Sequence, residues 1–250
     1  LPPAGGNLVW NNASDAGAAD GIWDGTLANF SLDGNNTAFQ ALDSVLFDDS
    51  MAPGSHKSVT LSGELAPALI TVDTSNGGYS FTGTESLTGE GSLVKRGTGT
   101  LAIAGSAAYS LTGVLTVAGG LLYFSGKSIL IDKLTLDGGA IENATATVRS
   151  AEFRSGSVHA ILKGDGPWKK TTPGTVFLSQ DSQLTGPGSV EEGTLVAGKA
   201  EPSLEGTPGP GPTHIAAGAA LEFRRSSDLS IPNTFSGAGT VVLTGGGSLY

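Results

Sequence analysis

Residues 89–124 constrain the fold of this chain more than any other stretch, because their pattern recurs further along the sequence. The pattern opens with Gly-x-Gly and an apolar residue. Ten residues after its first glycine it reaches Gly-Thr or Gly-Ser, followed by another apolar residue. Its copies begin at Gly89, Gly164 and Gly237, so they are 75 and 73 residues apart. Such even spacing predicts an architecture of stacked repeats.

Within a copy, apolar side chains alternate with small or polar ones. Leu93, Leu101 and Ile103 share one parity, which is the period of a strand with one buried face. Strands of about five residues and turns of about three give a rung of roughly 24 residues, so each repeat spacing would hold about three rungs. No rung buries its apolar face alone, and the sequence therefore predicts an all-β solenoid in which each rung covers the next.

Composition supports this fold and excludes several functions. The chain has 39 glycines and only 14% charged residues, which favours short strands and many turns over helices. The net charge of −10 argues against binding nucleic acid or anionic membranes, which both select basic patches. The absence of cysteine excludes disulfides, zinc–thiolate sites and thiol catalysis. The longest apolar run, near Leu121–Phe124, has four residues against the ~20 of a membrane helix, so we expect no membrane insertion of this segment.

The first copy resembles the autotransporter-associated β-strand repeat, also called the passenger-associated transport repeat. The residues that match it in order are Gly89, Gly91, Leu93, Lys95, Gly97, Gly99, Thr100, Leu101, Gly105, Tyr109 and Gly113. The chain departs from the pattern at Ser106-Ala107-Ala108, at Thr172 in the second copy and at Leu243 in the third. Residues 7–88 resemble the region that often precedes such repeats. The resemblance implies a right-handed parallel β-helix in a secreted or surface-displayed passenger of a Gram-negative-type bacterium, without enzymatic activity.

The chain divides into two parts by regularity. Residues 1–58 are predicted to form an irregular N-terminal cap with the first rungs, and residues 59–250 the solenoid. Four prolines between residues 201 and 213 cannot donate ladder hydrogen bonds, so this stretch is predicted to protrude as a loop. The early aromatic residues, Trp10 and Trp23 among them, favour a packed cap. The alternative is that these two tryptophans form a platform on which a glycan stacks.

The residues that could carry chemistry form no familiar constellation. His56, His159 and His214 lack metal-ligand spacing. The adjacent pairs Asp48-Asp49 and Glu191-Glu192 would point to opposite faces of a strand. We therefore predict no catalytic site, no cofactor and no enzymatic activity.

Two further expectations concern charged side chains. A calcium site near Asp20, Asp24, Asp48 and Asp49 is an alternative that the sequence leaves open. Lys95 and Lys170 occupy equivalent positions in the first two copies. Because a buried charge is costly, we expect each of them at a corner with its amine in solvent.

Two classes of function compete on this sequence. The first is a structural stalk that aids export and displays adhesive loops to host glycans or surface proteins. The second is a carbohydrate-active or glycan-binding β-helix protein, for which the 13 basic residues supply few groups. If Gly237 corresponds to Gly89, Leu249 corresponds to Leu101 and the third copy stops short of a full rung. We therefore expect a fragment whose natural chain continues past Tyr250 and which associates end to end through its last rung.

Overall fold

A computed structural model describes residues 5–12, 21–51, 57–198 and 205–250. In this part of the chain the structure is all-β without a helix, and stacked parallel strands form a β-solenoid of about nine turns. The chain divides into two compact units, Leu1–Lys127 and Ser128–Tyr250. The predicted fold class is confirmed.

The strands are mostly short in the first unit and include three long ones in the middle of the chain. Their bounds are β1 (Asn7–Trp10), β2 (Ile22–Trp23), β3 (Phe30–Leu32), β4 (Asn35–Thr37), β5 (Ser44–Phe47), β6 (Ser58–Leu61), β7 (Leu69–Asp73), β8 (Gly78–Gly83), β9 (Ser86–Gly89), β10 (Ser92–Arg96), β11 (Thr100–Ile103), β12 (Ala108–Leu111), β13 (Val114–Val117), β14 (Leu121–Ile131), β15 (Lys133–Val148), β16 (Ala151–Gly164), β17 (Trp168–Lys170), β18 (Thr175–Leu178), β19 (Gln183–Leu184), β20 (Gly188–Val190), β21 (Thr194–Ala197), β22 (Thr213–Ile215), β23 (Ala220–Arg224), β24 (Phe235–Gly237) and β25 (Thr240–Thr244).

In the first unit, parallel strands stack along three faces of the solenoid. The first face contains β1, β5, β7, β10 and β13 in order. The second contains β2, β6, β8, β11 and the start of β14, and the third contains β9 and β12. The chain visits the faces in rotation, so each strand lies beside its equivalent one turn away.

The second unit repeats this arrangement with its own strands. On its first face, the beginnings of β15 and β16 are followed by β17, β20, β22 and β24. On its second face, the middles of β15 and β16 are followed by β18, β21, β23 and β25. The long strands β15 and β16 bend through the corners of their turns, so one strand contributes to more than one face.

The core consists of inward-facing columns, in which one side chain of each turn stacks on its partner in the next. Ile70, Leu93 and Leu115 form such a column in the first unit, and all three are 0% exposed. Val176, Leu195 and Leu221 form another in the second unit and are equally buried. The alternation seen in the sequence therefore reports these columns, as a strand with one buried face requires.

The N-terminal cap is a cluster of aromatic side chains closed by an antiparallel hairpin. Trp10, Trp23, Phe30, Phe39 and Phe47 are all buried, and the rings of Trp23 and Phe30 meet edge to face at 5.7 Å. Strands β3 and β4 are joined at Asp33 and Gly34, which have φ of 53° and 82°. Residues with positive φ at both central positions are typical of the tight turns that match strand twist. The hairpin pairs β3 with the free edge of β1 and so protects that edge.

Three details of the sequence-based prediction are wrong, the first being the size of a turn. Leu134, Ala151 and Trp168 are partners in successive turns and lie only 17 residues apart. Turns here are shorter than the expected 24 residues because β15 and β16 continue through their corners without loops.

The second correction concerns the proline-rich stretch, of which residues 205–213 are described and residues 201–204 lie outside the described part. Residues 205–213 do not protrude: Pro208, Gly209 and Gly211 are buried. Gly211 N–H donates to the Leu184 carbonyl at 3.0 Å, and the Pro212 carbonyl accepts from Gly188 N–H at 2.8 Å. A proline still offers its carbonyl, and the intervening glycines supply the donors.

The third correction concerns the third copy of the repeat. Val241, not Leu249, stacks on Leu221 in the column of Val176. Leu249 instead bridges to Leu229. Gly237 falls opposite Ile215, in the column of Lys170. The Gly-x-Gly pattern thus marks a corner of the solenoid, and in the third copy it marks a different corner.

Substitution of a column residue tests the assignment of the buried face. Val176→Asp should lower the free energy of unfolding by about 3–5 kcal/mol, because it buries an unpaired charge among apolar side chains. Leu101→Asp should have a similar effect in the first unit. The matched control is Thr175→Asp, since Thr175 is the exposed neighbour of Val176. Urea unfolding measures all three, and equal losses for Val176→Asp and Thr175→Asp would show that the faces are assigned wrongly.

Candidate functional site

The two tryptophans proposed as a glycan platform lie in the core of the cap. Trp10 is 1% exposed and Trp23 is 0% exposed. Trp10 packs against Phe30 at 5.1 Å between ring centroids, and Trp23 packs against Phe39 at 5.4 Å. No face of either ring is open to a sugar, so the prediction of glycan contact at these residues is wrong and they serve as packing.

The repeat lysines are also buried, contrary to the expectation that their amines reach solvent. Lys95 and Lys170 are both 0% exposed. The Lys95 ammonium donates to the carbonyls of Arg96 and Gly97, the second at 3.3 Å. The Lys170 ammonium donates to the carbonyls of Thr172 and Glu192, the second at 3.0 Å.

Burial lowers the pKa of both lysines. The tight corners that follow each lysine turn backbone carbonyls inward, and these oxygens replace the solvent that the ammonium lost. The sequence showed the position of each lysine but not this closure, because the carbonyls belong to the local turn geometry.

A carboxylate cluster surrounds Asp49 in the first unit. Lys57 Nζ approaches Asp49 Oδ1 at 2.5 Å, and the backbone N–H groups of Ser75 and Asn76 donate to Oδ2 at 2.7 and 3.2 Å. Thr74 Oγ1 adds a bond to Oδ1 at 2.5 Å. The hydrogen bond from Lys57, followed by those from Ser75 and Thr74, holds the pKa of Asp49 well below its ordinary value. The corner after β7 thereby fixes Asp49 and, through it, Lys57.

A second cluster of the same kind surrounds Glu205 in the second unit. Its Oε1 accepts from the backbone N–H groups of Ser226 and Ser227 at 2.8 and 2.9 Å. Its Oε2 accepts from the Ser227 hydroxyl and from Arg225 Nη2, the latter at 3.1 Å. The Ser227 hydroxyl, followed by its backbone N–H, lowers the pKa of Glu205 to about 2. Successive backbone N–H groups at a turn form a concave site for anions, and here the anion is a side chain of the same chain.

The other candidate residues are dispersed. Asp24 accepts from the N–H groups of Thr26 and Leu27, and Asp48 accepts from Ser50 N–H. Glu191 pairs with Lys169 at 2.9 Å. Asp20 and His56 lie outside the described residues. In the described ranges no group of three or more His, Asp or Glu could hold a metal ion, so Asp24, Asp48 and Asp49 do not form the calcium site that was considered.

The two described histidines lie beside serines of the next turn. His159 Nδ1 contacts Ser179 Oγ, and His214 Nδ1 lies 3.3 Å from Ser236 Oγ. Ser179 is 1% exposed, so its hydroxyl is closed to a substrate.

The outer surface of the first unit carries a shallow groove of about 370 Å³ across β1, β5, β7 and β10. Outward-facing Val9, Leu46 and Leu69 line it, with Asp73 and Arg96 at one end. Asp73 and Arg96 are direct partners in adjacent turns. Sequence reasoning missed this groove because the apolar outward side chains come from four turns, each of which contributes only one or two of them.

Comparison of the chain with protein-family models, with curated proteins and with solved structures finds no match. Among the described residues, no helix is long and apolar enough to cross a membrane.

The Glu205 cluster predicts a dependence of stability on pH. Its pKa falls from 4.5 to about 2 on folding, so the stabilisation is complete above the unfolded pKa and is lost as the pH falls through about 2. Glu205→Gln should therefore lower the midpoint of urea unfolding at pH 7, and this difference from the wild type should shrink between pH 5 and pH 2. Glu191→Gln is the control on a more exposed ion pair. A difference for Glu205→Gln that stays constant down to pH 2 would contradict this assignment.

Proposed function

We propose that this chain is a structural passenger segment of a secreted or surface-displayed, autotransporter-like protein. It acts as a stalk that aids export and displays adhesive loops at the surface of a Gram-negative-type bacterium. The observation that supports this proposal most is the construction of the core from columns, in which each turn covers the apolar side chains of its neighbour. The function is not enzymatic.

Columns of this kind suit a chain that folds as it leaves a membrane. Each new turn adds its own apolar side chains to a column and needs contacts only with the turn before it. Folding therefore releases free energy turn by turn on the side of the membrane where the turns form, and this opposes return of the chain. A globular core, by contrast, would need distant parts of the chain together before any burial.

The two anchored carboxylates are suitable bases for displayed segments. Asp49 and Lys57 bind each other and the corner at Ser75, so the residues between them begin and end at fixed points. Glu205 is fixed to Ser226 and Ser227 in the same way. Host glycans or host surface proteins are the proposed partners of such segments, and nucleic acid is not among them.

A display assay tests the stalk function. The 250-residue chain is placed between a signal peptide and an outer-membrane barrel, and intact cells are probed with an antibody to an N-terminal tag. Val176→Asp should lower surface exposure several-fold at equal synthesis, because it prevents stacking of its turn. Thr175→Asp should behave as the wild type. Equal display of Val176→Asp and the wild type would contradict a role of stacking in export.

The alternative function is glycan binding or polysaccharide cleavage at the groove on the first unit. Its support is the adjacent acid and base at one end, Asp73 and Arg96. A glycan array with parallel turnover assays on plant and mucin polysaccharides separates the two functions. We expect no turnover, and no glycan binding that is lost in the double variant Asp73→Asn/Arg96→Gln but kept in Lys169→Gln. Binding or cleavage that depends on the groove residues would favour the alternative.

A further inference from the structure

Two columns of the core contain a lysine between apolar residues. In the first unit, Lys95 stacks between Val72 and Val117. In the second, Lys170 stacks between Phe153 and Val190. Both lysines occupy the last inward-facing position of a strand just before a corner, and no solvent reaches either side chain.

The finished fold does not by itself explain these lysines. A valine or isoleucine fills the same column position in the neighbouring turns, including Val117 and Ile215. Removing an ammonium group from water is unfavourable, and its bonds to carbonyl oxygens only partly offset this cost. Replacement of a buried charge by a hydrophobic residue of similar volume is often neutral or stabilising.

The last turn of the described chain shows what a column residue experiences before another turn covers it. Val241 is 40% exposed, although its column partners Leu221 and Leu195 are 0% exposed. A folding solenoid presents such an open turn at every stage of its stacking. When that turn contains β10 or β17, the side chain of Lys95 or Lys170 is open to water and places a positive charge on the growing edge.

We propose that Lys95 and Lys170 are gatekeepers that prevent the growing edge of the solenoid from pairing with another copy of the chain during folding. An open strand edge with an apolar inner face is a template for intermolecular pairing, and inward-pointing charges are one way in which natural sheets block it. The inference depends on the stacked fold and is independent of the proposed stalk function.

The native next turn differs from a foreign edge because it is shaped to receive the ammonium. Lys170 Nζ binds the Glu192 carbonyl, which belongs to the following turn. For Lys95, the following turn supplies Gly120, where an added Cβ would lie only 2.8 Å from the ammonium nitrogen. A chain that pairs in another register offers neither the carbonyl nor the space, so it leaves the charge buried without partners.

The test compares two double variants of the 250-residue chain with the same net charge. Lys95→Met/Lys170→Met makes the two columns apolar. Arg96→Met/Lys169→Met changes the exposed neighbouring residues and is the matched control. The denaturation midpoint in urea is measured at equilibrium, and the recovered monomer is measured by size exclusion after dilution from urea at increasing protein concentration.

The column variant should keep or raise the denaturation midpoint and should return at least about threefold less monomer than the control at the highest concentration. Lys95→Arg and Lys170→Arg, which keep the charge, should restore recovery. Recovery equal to that of the control would overturn the proposal. A lowered midpoint or failure to fold in the column variant would also overturn it, because the lysines would then act as bonds that hold the finished fold together.

Discussion

The structure depends on the contact between an inward-facing side chain and its partner one turn away. Because parallel strands stack in register, a small set of apolar positions is buried repeatedly, as in the column of Val176, Leu195 and Leu221. A chain with few aromatic and charged residues can be stable in this form, since each turn needs only its neighbours. The aromatic cap around Trp23 is the exception. There the stack begins, and large side chains together with the β3–β4 hairpin take the place of a preceding turn.

The corners impose the second constraint, because the backbone there must turn tightly and its polar groups need partners. Where a corner directs carbonyls inward, a lysine of the core supplies donors, as Lys170 does for Thr172 and Glu192. Where a corner directs N–H groups outward, a carboxylate supplies acceptors, as Glu205 does for Ser226 and Ser227. These are complementary solutions to one requirement, that buried or clustered backbone groups be hydrogen-bonded. They also tie an irregular excursion of the chain to a regular turn.

Much of the fold could be predicted from the sequence, because alternation and glycine punctuation are local signals. The register was less predictable: the pattern that begins at Gly237 matches the first copy, yet it lies opposite Ile215 and one corner away. A motif that encodes a turn does not state which turn it encodes. The burial of Lys95 and the anchoring of Glu205 could not be predicted, since their partners are backbone atoms that only the folded corner brings together. For the candidate groove the obstacle was similar, because its lining comes from four successive turns.

Cross-linking of engineered cysteines measures the register of the columns most directly, and the natural chain contains no cysteine that would interfere. In the structure Glu222 lies beside Val242, at the ~4.8 Å separation of adjacent strands. If the repeat pattern alone set the register, Glu222 would instead lie beside Tyr250. Mild oxidation should therefore form a disulfide in Glu222→Cys/Val242→Cys and not in Glu222→Cys/Tyr250→Cys. A disulfide in the second pair and none in the first would contradict the stacking described above.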